Sequence, residues 1–246
     1  INVAGSTFTD AAANNNTAAD EFNWTYVAPG SAVFSTCGDE IGYDGYDYAT
    51  VQIGGQCWFA ENLRNTNYND GSAIPSLLDN ATWSSTTDGA VTVYDEGGAN
   101  EASNLADYGR LYNWYAVNTG NLCPSGWHVP TDAEWTTLEM ALGMSESEAN
   151  STDYRGTDQG TQMKSSPSDN PAWDGTNTSG FSALAGGYRN YNGNFYYEGN
   201  LGYFWSSSPY GTYAWYRGLY SGNPEVVRDN YGYQRSGFSV RCVRDE

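Results

Sequence analysis

Four cysteines, at positions 37, 57, 123 and 242, constrain this chain more than any other feature. An even set with no C-x-x-C spacing is read as disulfides, not as a zinc ribbon or a redox pair. Three pairings are open. The expected one joins Cys37 to Cys57 and Cys123 to Cys242, because each bond then links segments that read as neighbouring structure. The second bond would close a loop of more than a hundred residues, worth up to about 5 kcal/mol in the chain-entropy description. Disulfides persist in oxidising compartments, so a secreted or cell-surface protein is expected. The chain opens at Ile1 with no basic, apolar leader, so any export signal is expected to have been removed before this point. No stretch approaches the roughly eighteen apolar residues that a spanning helix needs, and no membrane insertion is expected.

Charge narrows the partners. The 29 acidic residues outnumber the 10 basic ones, a formal charge of −19 that repels phosphate backbones, so nucleic acid is not an expected partner. Such acidity often marks disorder, but 15% aromatic content with nine Trp supplies apolar area that a disordered chain lacks. The 246 residues fit one large domain with an appendage.

Residues 1–36 read as an N-terminal extension, a linker, tail or donated strand, in which Phe22, Trp24 and Tyr26 show strand spacing. The domain proper is expected over 37–246. Tyr46 to Ile53 alternates as a strand, and Gly54-Gly55 turns it into Gln56-Cys57-Trp58-Phe59 as a hairpin. Asn65 to Asn104 has the composition of irregular loops. Thr131, with Glu134 three residues later, forms a capping box, and Trp135, Leu138 and Leu142 fall on one helical face before Gly143. From Phe181 onward, Gly and Asn punctuate aromatic and β-branched runs, which predicts several short strands and many turns.

The segments YATVQIGGQCWFAENLR, YGRLYNWYAV, LCPSGWHVPTDAEWTTL, GFSALAGGYR, GYFWSSS and GFSVRCVRD, in this order, resemble the Fibrobacter succinogenes major paralogous domain. The resemblance runs from about Cys37 to Asp245. It implies an α+β fold related to formylglycine-generating enzymes and C-type lectins, with small twisted antiparallel sheets, few helices and long loops, preceded here by the extension. It also implies that Trp58, Trp114, Trp127, Trp135 and Trp205 are core residues, and that Cys123 and Cys242, in the CP-x-GWH and VRCV blocks, form a structural bridge. The C-terminal cysteine pair of the formylglycine enzymes is missing, since Cys242 is the only cysteine after Cys123. His128, the sole histidine, is expected to be structural. No catalytic residues are assigned, and the chain is not expected to be an enzyme.

No cofactor is required. Asp39, Glu40, Asp44 and Asp47 lie close together in DEIGYDGYD, and Asp39, Asp44 and Asp47 could converge on calcium, although turn-forming solvated carboxylates are the competing reading. Asn223-Pro224-Glu225 resembles, in reverse order, a lectin sugar-binding triplet. The main anomaly is Tyr188 to Tyr233, which holds eleven of the 21 tyrosines among Asn, Gly and Ser. Rigid rings with few rotatable bonds, set between small polar groups, suit an adaptable contact surface. The expected ligand or interface residues are Tyr196, Tyr197, Glu198, Asn200, Tyr210, Tyr213, Trp215, Arg217, Asn223, Asn230 and Tyr231. The competing reading is a stabilising cross-strand ladder. The expected function is a non-catalytic extracellular binding module for a glycan or protein ligand. The alternative is a structural subunit, binding copies of itself in a fibre through the N-terminal extension.

Overall fold

The computed structural model describes residues 36–246; the strand expected near Phe22 to Val27, and all but the last residue of the extension, lie outside that range. The described chain is mixed α+β and mostly sheet, with six short helices.

Strands β1 (Ile41–Tyr43) and β2 (Tyr46–Tyr48) form a small hairpin. The expected Tyr46–Ile53 strand is therefore split, and β3 (Thr50–Ile53) turns at Gly54-Gly55 into β4 (Gln56–Phe59), as the alternation predicted. The passage expected to be loop contains α1 (Asn80–Ser85), β5 (Val91–Thr92) and the start of α2 (Glu101–Tyr108). The first of these helices is held by Asp79, whose side chain accepts from the Thr82 amide at 2.7 Å. Next come β6 (Leu111–Asn113), α3 (Trp114–Val117) and β7 (Trp127–His128). The predicted capped helix is α4 (Asp132–Ala141), with both bonds of the capping box formed between Thr131 and Glu134.

Beyond it lie α5 (Glu146–Ala149), β8 (Asp153–Arg155), α6 (Gln159–Met163), β9 (Gly186–Arg189) and β10 (Phe195–Glu198). Three long strands follow, β11 (Leu201–Tyr210), β12 (Tyr213–Tyr220) and β13 (Val226–Tyr233), where short ones were expected. The chain closes with β14 (Gly237–Phe238) and β15 (Val243–Arg244).

The main sheet runs β5-β6-β14-β9-β11-β12-β13-β8, with β10 paired to β9, and a second sheet runs β3-β4-β15-β7. The expected disulfides both form, Cys37–Cys57 at the entrance to the second sheet and Cys123–Cys242 at its last strand. The five tryptophans expected in the core are buried, with Trp58, Trp135 and Trp205 fully so. Trp58, Trp135 and Phe181 pack ring against ring between the sheets and α4. Arg241, fully buried, ties β4 to the loops at Asn62 and Phe181–Ser182. Its guanidinium donates to Asn62 Oδ1 at 2.7 Å and to the carbonyls of Phe59, Phe181 and Ser182 at 3.0, 2.6 and 2.8 Å.

Candidate functional site: a tyrosine groove on the main sheet

Strand alternation sends successive side chains of β11, β12 and β13 to opposite faces. One face carries Phe204, Arg217 and Arg228, with Phe204 opposite Arg217 and Arg217 opposite Arg228. It packs on α4. Arg217 donates through Nε to Glu139 Oε1 at 2.6 Å and through Nη1 to Asp132 Oδ1 at 2.7 Å. Arg228 pairs with Asp132 Oδ2 at 2.6 Å, and Arg155 with Glu139 Oε1 at 2.9 Å. Burial opposes the charge on Asp132, but the Arg228 and Arg217 guanidiniums hold its carboxyl below the usual range. Arg217 is fully buried, so it does not belong to a ligand surface as expected. One step along β12 from Tyr216 puts it on the inner face.

The other face carries the tyrosines. Tyr203 lies opposite Gly218, and a Cβ there would approach the Tyr203 ring to 3.0 Å, so glycine makes room for it. Tyr216 and Tyr220 flank that gap, with ring centroids 5.0 and 5.9 Å from Tyr203. Tyr188 from β9 stands 5.2 Å from Tyr203, and Tyr197 stacks 6.2 Å from Tyr188. Phe238, stacked on Trp205 at 4.1 Å, packs against Tyr203 at 5.0 Å. Between these rings opens a cavity of about 690 Å³, lined by Tyr188, Tyr197, Tyr203 and Tyr220 with Asn200 and Ser221 at its polar rim. Burial is the main cause that pushes the Tyr203 and Tyr216 phenols well above their ordinary range, so both are neutral and able to donate and accept. Tyr197 sits in the left-handed region (φ 64°), facing Gly187 (φ 62°) in the β9–β10 pair. A side chain at position 187 would come within 2.5 Å of the Tyr196 carbonyl. This local twist leaves Tyr197 58% exposed over the groove.

The expected residues therefore separate. Tyr197 and Asn200 line the groove, and Tyr196 stands beside them, 5.8 Å from Tyr188. Glu198 is half-buried, and burial, then Asp95 and Asp107, push its carboxyl up. Tyr210, Tyr213 and Tyr231 form a second cluster at the far end of the β11–β12 hairpin, with contacts of 5.6 to 6.1 Å. Trp215 is half-buried there, its ring 3.9 Å beneath the Arg228 guanidinium. Asn230 is half-buried on β13. Asn223 is committed to a turn: its side chain accepts from the Glu225 amide at 2.8 Å and its carbonyl accepts from Lys164 at 3.0 Å. The Pro224 carbonyl accepts from Gly160 at 2.8 Å, so the triplet anchors α6. The groove residues left out of the expected set are Tyr188, Leu201, Tyr203, Tyr220 and Ser221. The signal for Tyr220 was its two-residue spacing from Gly218, whereas Tyr188 and Tyr203 reach the groove from β9 and β11.

Asp39, Asp44 and Asp47, the residues that could converge on calcium, are spread from the turn before β1 through the β1–β2 hairpin. Asp44 accepts from the Thr66 and Asn67 amides at 2.7 and 3.2 Å and from Asn67 Nδ2 at 2.9 Å, and these bonds hold its carboxyl low although burial opposes them. Asp39 accepts from the Thr36 amide, and Asp47 is exposed on β2. Among the described residues no three His, Cys, Asp or Glu side chains gather as a metal site. His128 bridges Glu134 Oε1 at 2.7 Å and Asp245 Oδ1 at 2.6 Å.

No curated protein and no solved structure matches the chain significantly. Two disulfides are consistent with a secreted protein or one of an oxidising compartment, and among the described residues no helix is long and apolar enough to cross a membrane. The model of the Fibrobacter succinogenes major domain matches residues 51–244, and the chain belongs to that family.

Proposed function

We propose that this chain is a non-catalytic extracellular binding module, displayed at the cell surface, whose ligand is a glycan or protein seated in the tyrosine groove. The observation that carries the reading is the groove of about 690 Å³ walled by Tyr188, Tyr197, Tyr203 and Tyr220. Its size suits one or two sugar rings or a few side chains, and it sets polar tips around aromatic faces. The arrangement of paired sheets, short helices and long connections is read as C-type-lectin-like, and the groove lies on the sheet in place of a calcium loop. The filament alternative has less support. The edge strands β5 and β8 have two and three residues, a short template for strand addition.

A glycan array probed with the full chain, followed by titration of any hit, tests the reading. Tyr197→Ala combined with Asn200→Ala is expected to lower affinity at least tenfold, about 1.4 kcal/mol, with the fold intact. Binding that persists in the double variant would remove the groove from the function.

A further inference from the structure

The second tyrosine cluster borders a separate cavity of about 470 Å³ that shares no lining residue with the groove. Tyr191 and Tyr233, 44% and 49% exposed, lie 4.5 Å apart as a tilted platform, and Tyr213 stands edge-on to Tyr233 at 5.2 Å as a wall. Thr212, Gln234 and Tyr115 add polar groups. Arg235 completes the lining, and no carboxylate joins it there. Its Nε donates to the Thr86 carbonyl at 3.3 Å, and among the described residues it makes no ion pair. In a chain with 29 acidic residues, an exposed guanidinium with no acid beside it is unusual, because most of the other cations are buried against carboxylates or carbonyls.

We propose that this cavity binds an acidic sugar residue, one that carries a single carboxylate, such as a uronate unit of a glycan. The guanidinium offers the paired N–H groups that match a carboxylate. The electron-rich ring faces attract the C–H face of a pyranose, and the hydroxyl and amide groups meet its hydroxyls. Net charge selects among acidic ligands. The field of a chain at −19 opposes polyanions such as acidic peptides, whereas one carboxylate bound at contact distance feels mainly Arg235, since more distant charges are screened beyond about 8–10 Å in physiological salt. The inference stands apart from the groove.

The test titrates the full chain with a disaccharide ending in one glucuronate and with its neutral glucose counterpart, followed by calorimetry or ligand-observed NMR. The acidic sugar is expected to bind at least about tenfold tighter. Arg235→Gln is expected to erase the difference, and Tyr233→Ala to weaken both sugars. Equal binding of the two sugars, an acid preference that survives Arg235→Gln, or no binding at millimolar concentration would overturn the proposal. So would loss of the acid preference in Tyr197→Ala, which would place the carboxylate in the groove. Displacement of the sugar by an equimolar blocked peptide carrying one glutamate would overturn the sugar assignment.

Discussion

The two faces of strands β11 to β13 invert the usual division of labour. Toward α4 the sheet buries guanidiniums and carboxylates, with Arg217 and Glu139 fully enclosed. Away from it the same strands present aromatic rings, several of them open to solvent. The ionic face is the structural one, because a buried charge is tolerable only with its partners in place. The aromatic face is held by ring packing. Buried ion pairs and aromatic rings are thus carried by alternate residues of the same strands, so one step along β12, from Tyr216 to Arg217, crosses from one face to the other.

The comparison is broken most directly at Glu139. Glu139→Ala leaves Arg155 without its carboxylate partner and Arg217 with Asp132 alone, and is expected to cost about 3–5 kcal/mol, read by urea denaturation. A cost below about 1 kcal/mol would mean that the ionic face does not hold the sheet to α4. Thr131→Ala, which removes the cap that starts α4 beside Asp132, should cost about 1 kcal/mol, and a neutral result would detach the helix start from the stability of that face.

At the rim, His128 probes a partly exposed ion pair. Its hydrogen bond to Glu134, opposed by burial and reinforced by Asp245, raises its pKa from 6.5 to about 9. A raised cationic group contributes fully below its unfolded pKa. The contribution should therefore be complete below about pH 6.5 and lost as pH rises through about 9. Solvent screening keeps it under about 1 kcal/mol. Thermal unfolding of His128→Gln beside the parent between pH 6 and 9.5 checks the sign, since the variant should lose the alkaline decline that begins near pH 6.5. The smallest expected change sharpens the contrast from the other face: Tyr196→Ala with Tyr197→Ala should shift unfolding by less than about 0.5 kcal/mol per residue. A drop comparable to that of Glu139→Ala would make the tyrosines a structural ladder.

What could be read from residue order was what depends on near neighbours. The Thr131–Glu134 box and the Gly54-Gly55 hairpin declare themselves within a few positions, the tryptophan core was implied by the family resemblance, and the cysteine pairing followed from which segments read as adjacent. Arg217 could not be placed the same way, because its partners Asp132 and Glu139 come from a helix some eighty residues earlier. The length of the three main strands was hidden by their glycines. Gly218 reads as a turn residue but sits mid-strand, where it accommodates the Tyr203 ring. The tyrosine tract was visible as a surface. Its division into a groove and a hairpin-end cavity was not, since that depends on β9 and β10 folding over β11 and on Tyr191 reaching Tyr233.

The bond between Cys123 and Cys242 has a mechanical meaning. Tension entering near one end of the domain and leaving near the other passes from Cys123 directly to Cys242 through sulfur, and bypasses the 119-residue span between them. The Cys37–Cys57 bond short-circuits the first hairpin in the same way. Of the chain between Cys37 and Cys242, only the segment between Cys57 and Cys123 can pay out under pull. The tyrosine groove, Arg235 and the buried ion pairs of α4 all lie within the closed loop, where stretching the chain does not draw their backbone taut.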